Sequence, residues 1–285
     1  MQRPRRAGRK IPIYLTGFDG KDHPFRLRAA RRSTEVCMSK LRVLLTGAAG
    51  RVGRYLSPEF EKRFALRAFD RAPVSGVADS IQGDLSDLDA LRKALQGIDV
   101  LVHLAANPDP FAKLPEELVA PNIVGCNHAF LAAAEAGVRR VVYASSVQTV
   151  MGKPWLEPGT VEVDDPPRPY TLYGATKHFG EVLGRYYHDH RGLEVICVRL
   201  GGCCEAPAHG FNLTGEGAYN WISPRDAVQL FSRAVETPGV PWAVVFGTST
   251  TYRPYLSLRT AREVLGYEPQ DDVHRHLRKE AVKRT

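Results

Sequence analysis

The most constraining feature of this 285-residue chain is an apolar run that passes straight into a glycine turn. Leu41-Arg-Val-Leu-Leu45 reads as a buried strand, Gly47 to Gly53 as a turn, and Arg51 to Phe64 as an amphipathic helix. The same alternation then repeats. Strands are expected at Leu66 to Phe69, near Ile81, Asp99 to Leu104, Arg139 to Ala144 and Leu193 to Leu200. Between them fall helical stretches at Leu88 to Leu95, Leu114 to Glu135 (with Pro121 as a local fault) and Tyr170 to His190. Continuous apolar strands separated by amphipathic helices require a parallel sheet covered on both faces, an α/β doubly wound architecture of the Rossmann type.

Beyond Leu200 the elements shorten and Gly, Pro and aromatic residues become frequent. The division expected is therefore a dinucleotide-binding domain at 38–200 and a small substrate cap at 201–285. The cap's clearest elements are a helix opening at Ser223-Pro224-Arg225-Asp226, a strand at Trp242 to Phe246 and a helix at Leu258 to Leu265. Residues 1–37 stand apart as a basic extension or a start placed too early, with Met38 the natural beginning. That segment carries +7 of the +8 formal net charge, so the remainder is close to balanced. The high pI therefore argues for neither nucleic acid nor membrane as a partner. No apolar run is long enough to span a bilayer. The five cysteines form no C-x-x-C pair, and the chain reads as cytoplasmic and reduced. His188 and His190 point to different helix faces, and no metal is expected. The strand-like Ile13 to Gly20 lacks a third glycine and reads as a decoy.

Thr46-Gly-Ala-Ala-Gly-Arg-Val-Gly53 has the T-G-x-x-G-x-x-G spacing at a strand-to-helix turn. Gly47 permits the tight turn, Gly50 lets backbone approach a pyrophosphate, and Gly53 lets helix and strand pack closely. Arg51 and Val52 open the helix whose unpaired N–H groups face the phosphates. Asp70, 23 residues after Gly47 at the end of the second strand, is placed to accept the adenosine ribose hydroxyls and repel a 2′-phosphate. This favours NAD over NADP, although Arg71 is adjacent.

Tyr173-Gly-Ala-Thr-Lys177 puts a phenol and an ammonium on one helix face. An adjacent ammonium favours the phenolate, which can act as a base. Ser145-Ser146 at the end of the fifth strand supplies a hydroxyl to orient the reacting oxygen.

Together with Gly83-Asp84-Leu85, His103-Leu-Ala-Ala106 and Ala144-Ser-Ser146, these motifs resemble the extended short-chain dehydrogenase/reductases, the NAD-dependent epimerase/dehydratase family. The resemblance covers essentially all of 41–270. It implies that Asp84 and Leu85 lie by the adenine and that Leu104, Ala105 and Ala106 line the cofactor. Asn122 would sit on the central helix, and Ser146, Tyr173 and Lys177 would form the catalytic triad. Lys177 would also grip the nicotinamide ribose. A narrower likeness, carried by Trp221-Ile-Ser-Pro-Arg-Asp226 and Leu265-Gly-Tyr-Glu-Pro-Gln270, is to the uronate dehydrogenases and archaeal NAD-dependent glucose-6-phosphate dehydrogenases. It implies oxidation of the anomeric carbon of an aldose, aldose phosphate or uronate to a lactone, with Ser146, Asn107 and Arg225 as substrate contacts. Val147-Gln148 stands where uronate dehydrogenases carry Asn-His.

Two other functions compete. A nucleotide-sugar epimerase or reductase would need a larger cap than the 85 residues after Leu200. A non-catalytic NAD-sensing regulator would usually have lost Tyr173 or Lys177, and both are kept. The two long helices could pair in a homodimer.

Overall fold

In the computed structural model the described residues are 40–152, 160–205, 220–251, 254–273 and 275. The basic extension, with its decoy strand, lies outside them. From Lys40 onward the chain forms one compact unit.

The described strands form a seven-stranded sheet. Its members are β1 (Arg42–Thr46), β2 (Ala65–Asp70), β3 (Ser80–Gln82), β4 (Val100–His103), β5 (Arg140–Ser146), β6 (Glu194–Leu200) and β9 (Trp242–Gly247). They run in the order β3-β2-β1-β4-β5-β6-β9, all parallel. A short pair, β7 (Gly202–Cys203) and β8 (Trp221–Ile222), lies outside this sheet.

Two cores follow from the alternation of side chains along each strand. Val43, Leu45, Val100, Val102, Val142 and Val198 point to one face. There they meet α1 (Arg51–Arg63), α5 (Pro224–Glu236) and α6 (Arg259–Leu265). Leu44, Leu101, Val141, Tyr143 and Val195 point to the other. They meet α2 (Leu88–Ala94), α3 (Gly125–Glu135) and α4 (Leu172–Arg191). A sheet buried on both sides needs the near-continuous apolar strands found here.

One expectation changes. The stretch 114–135 is not one helix. A π-helical turn spans Val119–Val124, and α3 begins only at Gly125. Pro121 has no N–H to complete an α-helical ladder, and the wider turn accommodates it. β9 extends the main sheet beside β6, and α5 packs on α1, so much of the expected cap completes the doubly wound layers.

The helix ends are legible. Thr171 caps α4 by accepting from Gly174 N, and Gly192 closes it with φ +68°, its N–H bonded to His188 O. Ser223 caps α5 with Pro224 in the first turn, as the S-P-R-D pattern leads one to expect. No helix among the described residues is long and apolar enough to cross a membrane.

Candidate active site

The C-terminal ends of β1, β2, β4 and β5 share one edge of the sheet, the edge where open α/β folds bind ligands. Gly47 leaves β1 with φ +75°, and a Cβ there would sit 2.7 Å from Ala105 N, in the segment that follows β4. A Cβ on Gly53 would run into Gly47 O and the Ala48 backbone. Gly50 N donates to Gly47 O at 3.0 Å, closing the turn. α1 starts with no capping side chain and no acid in its first turn, so its N–H groups face outward as an anion site. Arg51 is exposed at the first position of that helix, and Val52 packs inward.

Asp70 is part of this turn rather than merely beside it. Its Oδ2 accepts from Ala49 N at 3.0 Å and its Oδ1 from Ala72 N at 2.9 Å. Each carboxylate oxygen has a second lone pair, so the ribose-acceptor role remains open. Asp84 is exposed and accepts from Ser86 N at 2.8 Å, which holds its carboxyl below the ordinary range. Leu85 is buried against Gly125. Leu104 N donates to Thr46 O, placing Leu104, Ala105 and Ala106 along the turn. A turn that excludes side chains, an uncapped helix start and an acid at the second strand fit a dinucleotide.

The residues expected to be catalytic lie next to it. Tyr173 and Lys177 stand on one face of α4, with Lys177 Nζ 5.9 Å from the Tyr173 ring centroid. Lys177 is buried, and its Nζ donates to Ala144 O at 2.8 Å. Ser146 accepts from Gln148 N at 3.2 Å, and its hydroxyl lowers the Tyr173 pKa through a hydrogen bond. Burial outweighs that effect and pushes the phenol up to about 12. Burial pulls the Lys177 ammonium down to about 8. The expectation that the ammonium lowers the phenol is therefore not met in the protein alone, where desolvation decides the direction.

Asn122, on the π-helical turn, joins the two parts. Its Oδ1 accepts from Asn107 N at 2.8 Å, while Nδ2 donates to Asn107 O at 3.1 Å and Thr176 Oγ1 at 3.0 Å. Asn107 is thus clamped by its backbone. Its own side chain donates to Glu117 O and accepts from Asp109 N, within its own loop.

Arg225 does not join the group. It pairs with Asp271 at 2.7 Å, donates to Gln270 O, and lines a shallow recess with Tyr55, Glu59 and Arg63 on the α1/α5 layer. The guanidinium is thus engaged by Asp271 and Gln270 at the start of α5. The next residue, Asp226, is fully buried and accepts from Ser249 Oγ and the backbone N–H groups of Gln270 and Asp271. Cys203 and Cys204 are both buried, and burial pushes the Cys203 thiol up to about 12, leaving little thiolate for redox chemistry.

Sequence reasoning assigned no role to two buried groups. His103 bonds Thr46 Oγ1 through Nδ1 at 2.7 Å and is kept neutral by burial, its pKa pulled down to about 3. Glu181 pairs with Arg199 behind the catalytic residues. The available signals were an acid one turn beyond Lys177 and an arginine inside an apolar strand.

Fold and site together define a dinucleotide-dependent oxidoreductase. A profile of the NAD dependent epimerase/dehydratase family matches residues 43–255, and the chain belongs to that family. NAD is its cofactor. The NAD-dependent glucose-6-phosphate dehydrogenase of Haloferax volcanii is 36% identical over 249 residues, covering 81% of this chain and 93% of that protein. The L-arabinose 1-dehydrogenase (NAD(P)(+)) of the same organism is also 36% identical over 249 residues, covering 81% and 97%. Among solved structures, a mutant uronate dehydrogenase from Agrobacterium tumefaciens complexed with NAD aligns with a TM-score of 0.76. It is 31% identical, covering 86% of this chain and 90% of that one.

Proposed function

We propose that the protein oxidises the anomeric carbon of an aldose, aldose phosphate or uronate to the lactone. The observation that carries this reading is the meeting of Ser146, Tyr173 and Lys177 beside the glycine turn. Bound NAD supplies the acceptor for the hydrogen and electron pair leaving carbon 1. Tyr173 takes the proton of the anomeric hydroxyl, and Ser146 holds that oxygen in line by a hydrogen bond. Lys177, fixed by Ala144 O, holds the nicotinamide ribose and offsets charge as the phenolate forms. The turn at 46–53 binds the pyrophosphate, and Asp70 the adenosine ribose. The relatives' activities, on glucose 6-phosphate, L-arabinose and uronate, support this substrate range. The assembled Tyr173–Lys177 pair disfavours a silent NAD sensor.

Domain use follows the same reading: residues 38–200 bind the cofactor, and the segments after β6 shape the substrate end. Exposed Val182 and Tyr186 on α4 support a homodimer through the α3/α4 face. The buried thiols of Cys126, Cys197 and Cys203 support a cytoplasmic location. The test is a screen of aldoses, aldose phosphates and uronates with NAD, read at 340 nm. Turnover with one class and none with nucleotide sugars is expected. Epimerisation of a nucleotide sugar without net reduction of NAD would overturn the reading.

A further inference from the structure

α4 presents a third polar side chain on the stripe that carries Tyr173 and Lys177. Glu181 comes one turn after Lys177, is 4% exposed, and faces the sheet. Both of its oxygens are taken. Oε1 accepts from Ser145 Oγ at 2.6 Å and from Arg199 Nε at 2.9 Å. Oε2 accepts from Arg199 Nη2 at 2.9 Å and lies 3.1 Å from His178 Nδ1. Arg199, on β6, is 3% exposed and sends Nη1 to Val163 O at 3.1 Å. Its guanidinium lies 5.5 Å from the Phe246 ring centroid on β9. One ion pair thus ties α4, the end of β5, β6 and the loop before α4.

A buried ion pair is a poor way to stabilise a fold, because desolvation consumes most of the attraction and an apolar pair of similar volume does as well. What it does better is fix distance and direction, since hydrogen bonds are directional and apolar contact is not. The end of β5 is where such control matters. Three successive residues there meet three successive turns of α4. Ala144 O receives Lys177 Nζ, Ser145 Oγ binds Glu181, and Ser146 faces Tyr173. Adjacent strand residues point to opposite faces, so Ser145 anchors the strand while Ser146 is presented.

We propose that Glu181, acting through Ser145 and Arg199, is a positioning residue that sets the separation of the Ser146 hydroxyl and the Tyr173 phenol. The proposal rests on the reading of Ser146, Tyr173 and Lys177 as the catalytic set. Removing the link lets β5 shift against α4, and a displacement on the order of 1 Å lowers turnover by up to about a hundredfold. Cofactor affinity changes by no more than about twofold, because the glycine turn and Asp70 are elsewhere and only the Lys177 contact lies near the shifted strand.

The test compares Ser145→Ala, Glu181→Gln and the double variant Glu181→Leu/Arg199→Met with the wild type. The readouts are kcat, KM, NADH affinity by fluorescence, melting temperature and the crystallographic Ser146 Oγ to Tyr173 Oη distance. Glu181→Gln leaves Arg199 buried without a counter-charge and is expected to melt early. The double variant removes both charges and carries the test where the single variant fails to fold. The expected result is a kcat lower by about ten- to a hundredfold in Ser145→Ala and in the double variant. KM and NADH affinity should stay within about twofold, the double variant should melt near the wild type, and the Ser146–Tyr173 distance should lengthen. Wild-type kcat in a well-folded double variant would overturn the proposal, as would a raised KM at unchanged kcat or an unaltered distance. A wild type that binds NADH but turns over no sugar would overturn the functional reading alone, and the distance would still decide the positioning role.

Discussion

The cofactor turn and the catalytic wall share one edge of the sheet, yet they are built from different materials. The turn is backbone. Gly47, Gly50 and Gly53 work by carrying no side chain, and Asp70 fastens the loop by accepting Ala49 N. Nearly all of it lies within eight consecutive residues. The wall is made of side chains that meet across long stretches of sequence: Lys177 with Ala144, Ser145 with Glu181, Asn122 with Thr176. A backbone device tolerates change in neighbouring side chains but no bulk at its glycines. A side-chain device tolerates modest bulk but not the loss of a polar atom. Affinity for the cofactor and rate of chemistry should therefore be separable by mutation.

Tyr173→Phe should separate them most widely. It removes one oxygen and leaves the ring packed, so kcat should fall by roughly two to four orders of magnitude while NAD affinity holds. Turnover should also rise with pH in the wild type, since the active base is the deprotonated phenol and burial holds that group near 12 in the protein alone. A pH-independent rate, or near-normal turnover by the variant, would break the comparison at its catalytic end. Gly47→Val is the reverse case. A Cβ at φ +75°, pressed on Ala105 N, should weaken NAD by about ten- to a hundredfold, with the strain of such a position at roughly 1–3 kcal/mol. Saturating NAD should restore much of its kcat, and titration calorimetry would show whether affinity alone has changed.

Lys177 belongs to both devices, and Lys177→Met should lower affinity and rate together. The same change should stabilise the cofactor-free protein. The folded state pulls the ammonium from 10.5 down to about 8, so below pH 8 the wild type bears the full penalty of a buried charge. That penalty, roughly 3 kcal/mol, is relieved as pH rises from 8 to 10.5, because the unfolded chain then holds the extra proton. Urea melts of both proteins at pH 7 and pH 10.5 should show the variant's advantage shrinking across that window. A constant difference would mean that burial leaves the Lys177 pKa where it stands in the unfolded chain. Asp70→Ala should have the smallest effect, since the phosphates keep their backbone donors although the turn loses its bond from Ala49 N. NAD should weaken by about tenfold, the value of one hydrogen bond to a charged acceptor, and the gap to NADP should narrow. A wild type that already prefers NADP would remove the reason for this prediction.

The difference between the two devices also explains what could be read from the sequence. The strand, the glycine spacing and Asp70 are local signals, and the strand order follows from their repetition. Tyr173 and Lys177 are legible because they share a helix face four residues apart. Ser145 looked interchangeable with Ser146, and only the fold shows that it binds Glu181 while its neighbour faces Tyr173. The partner of Arg225 could not be read locally, because Asp271 is 46 residues away. The helix expected from Leu114 broke because the apolar period continued through Pro121, where the backbone could not.

β9 has a consequence for how the chain is made. It is the last strand to join the sheet, and until residues 242–247 emerge from the ribosome β6 has no neighbour on its outer side. Val195, Ile196, Cys197 and Val198 are fully buried in the finished protein. In the growing chain they form an apolar edge with open N–H and C=O groups, a template for pairing with another nascent copy. Synthesis that stalls near residue 240 should therefore release aggregating fragments, whereas chains completed past Gly247 close the edge themselves.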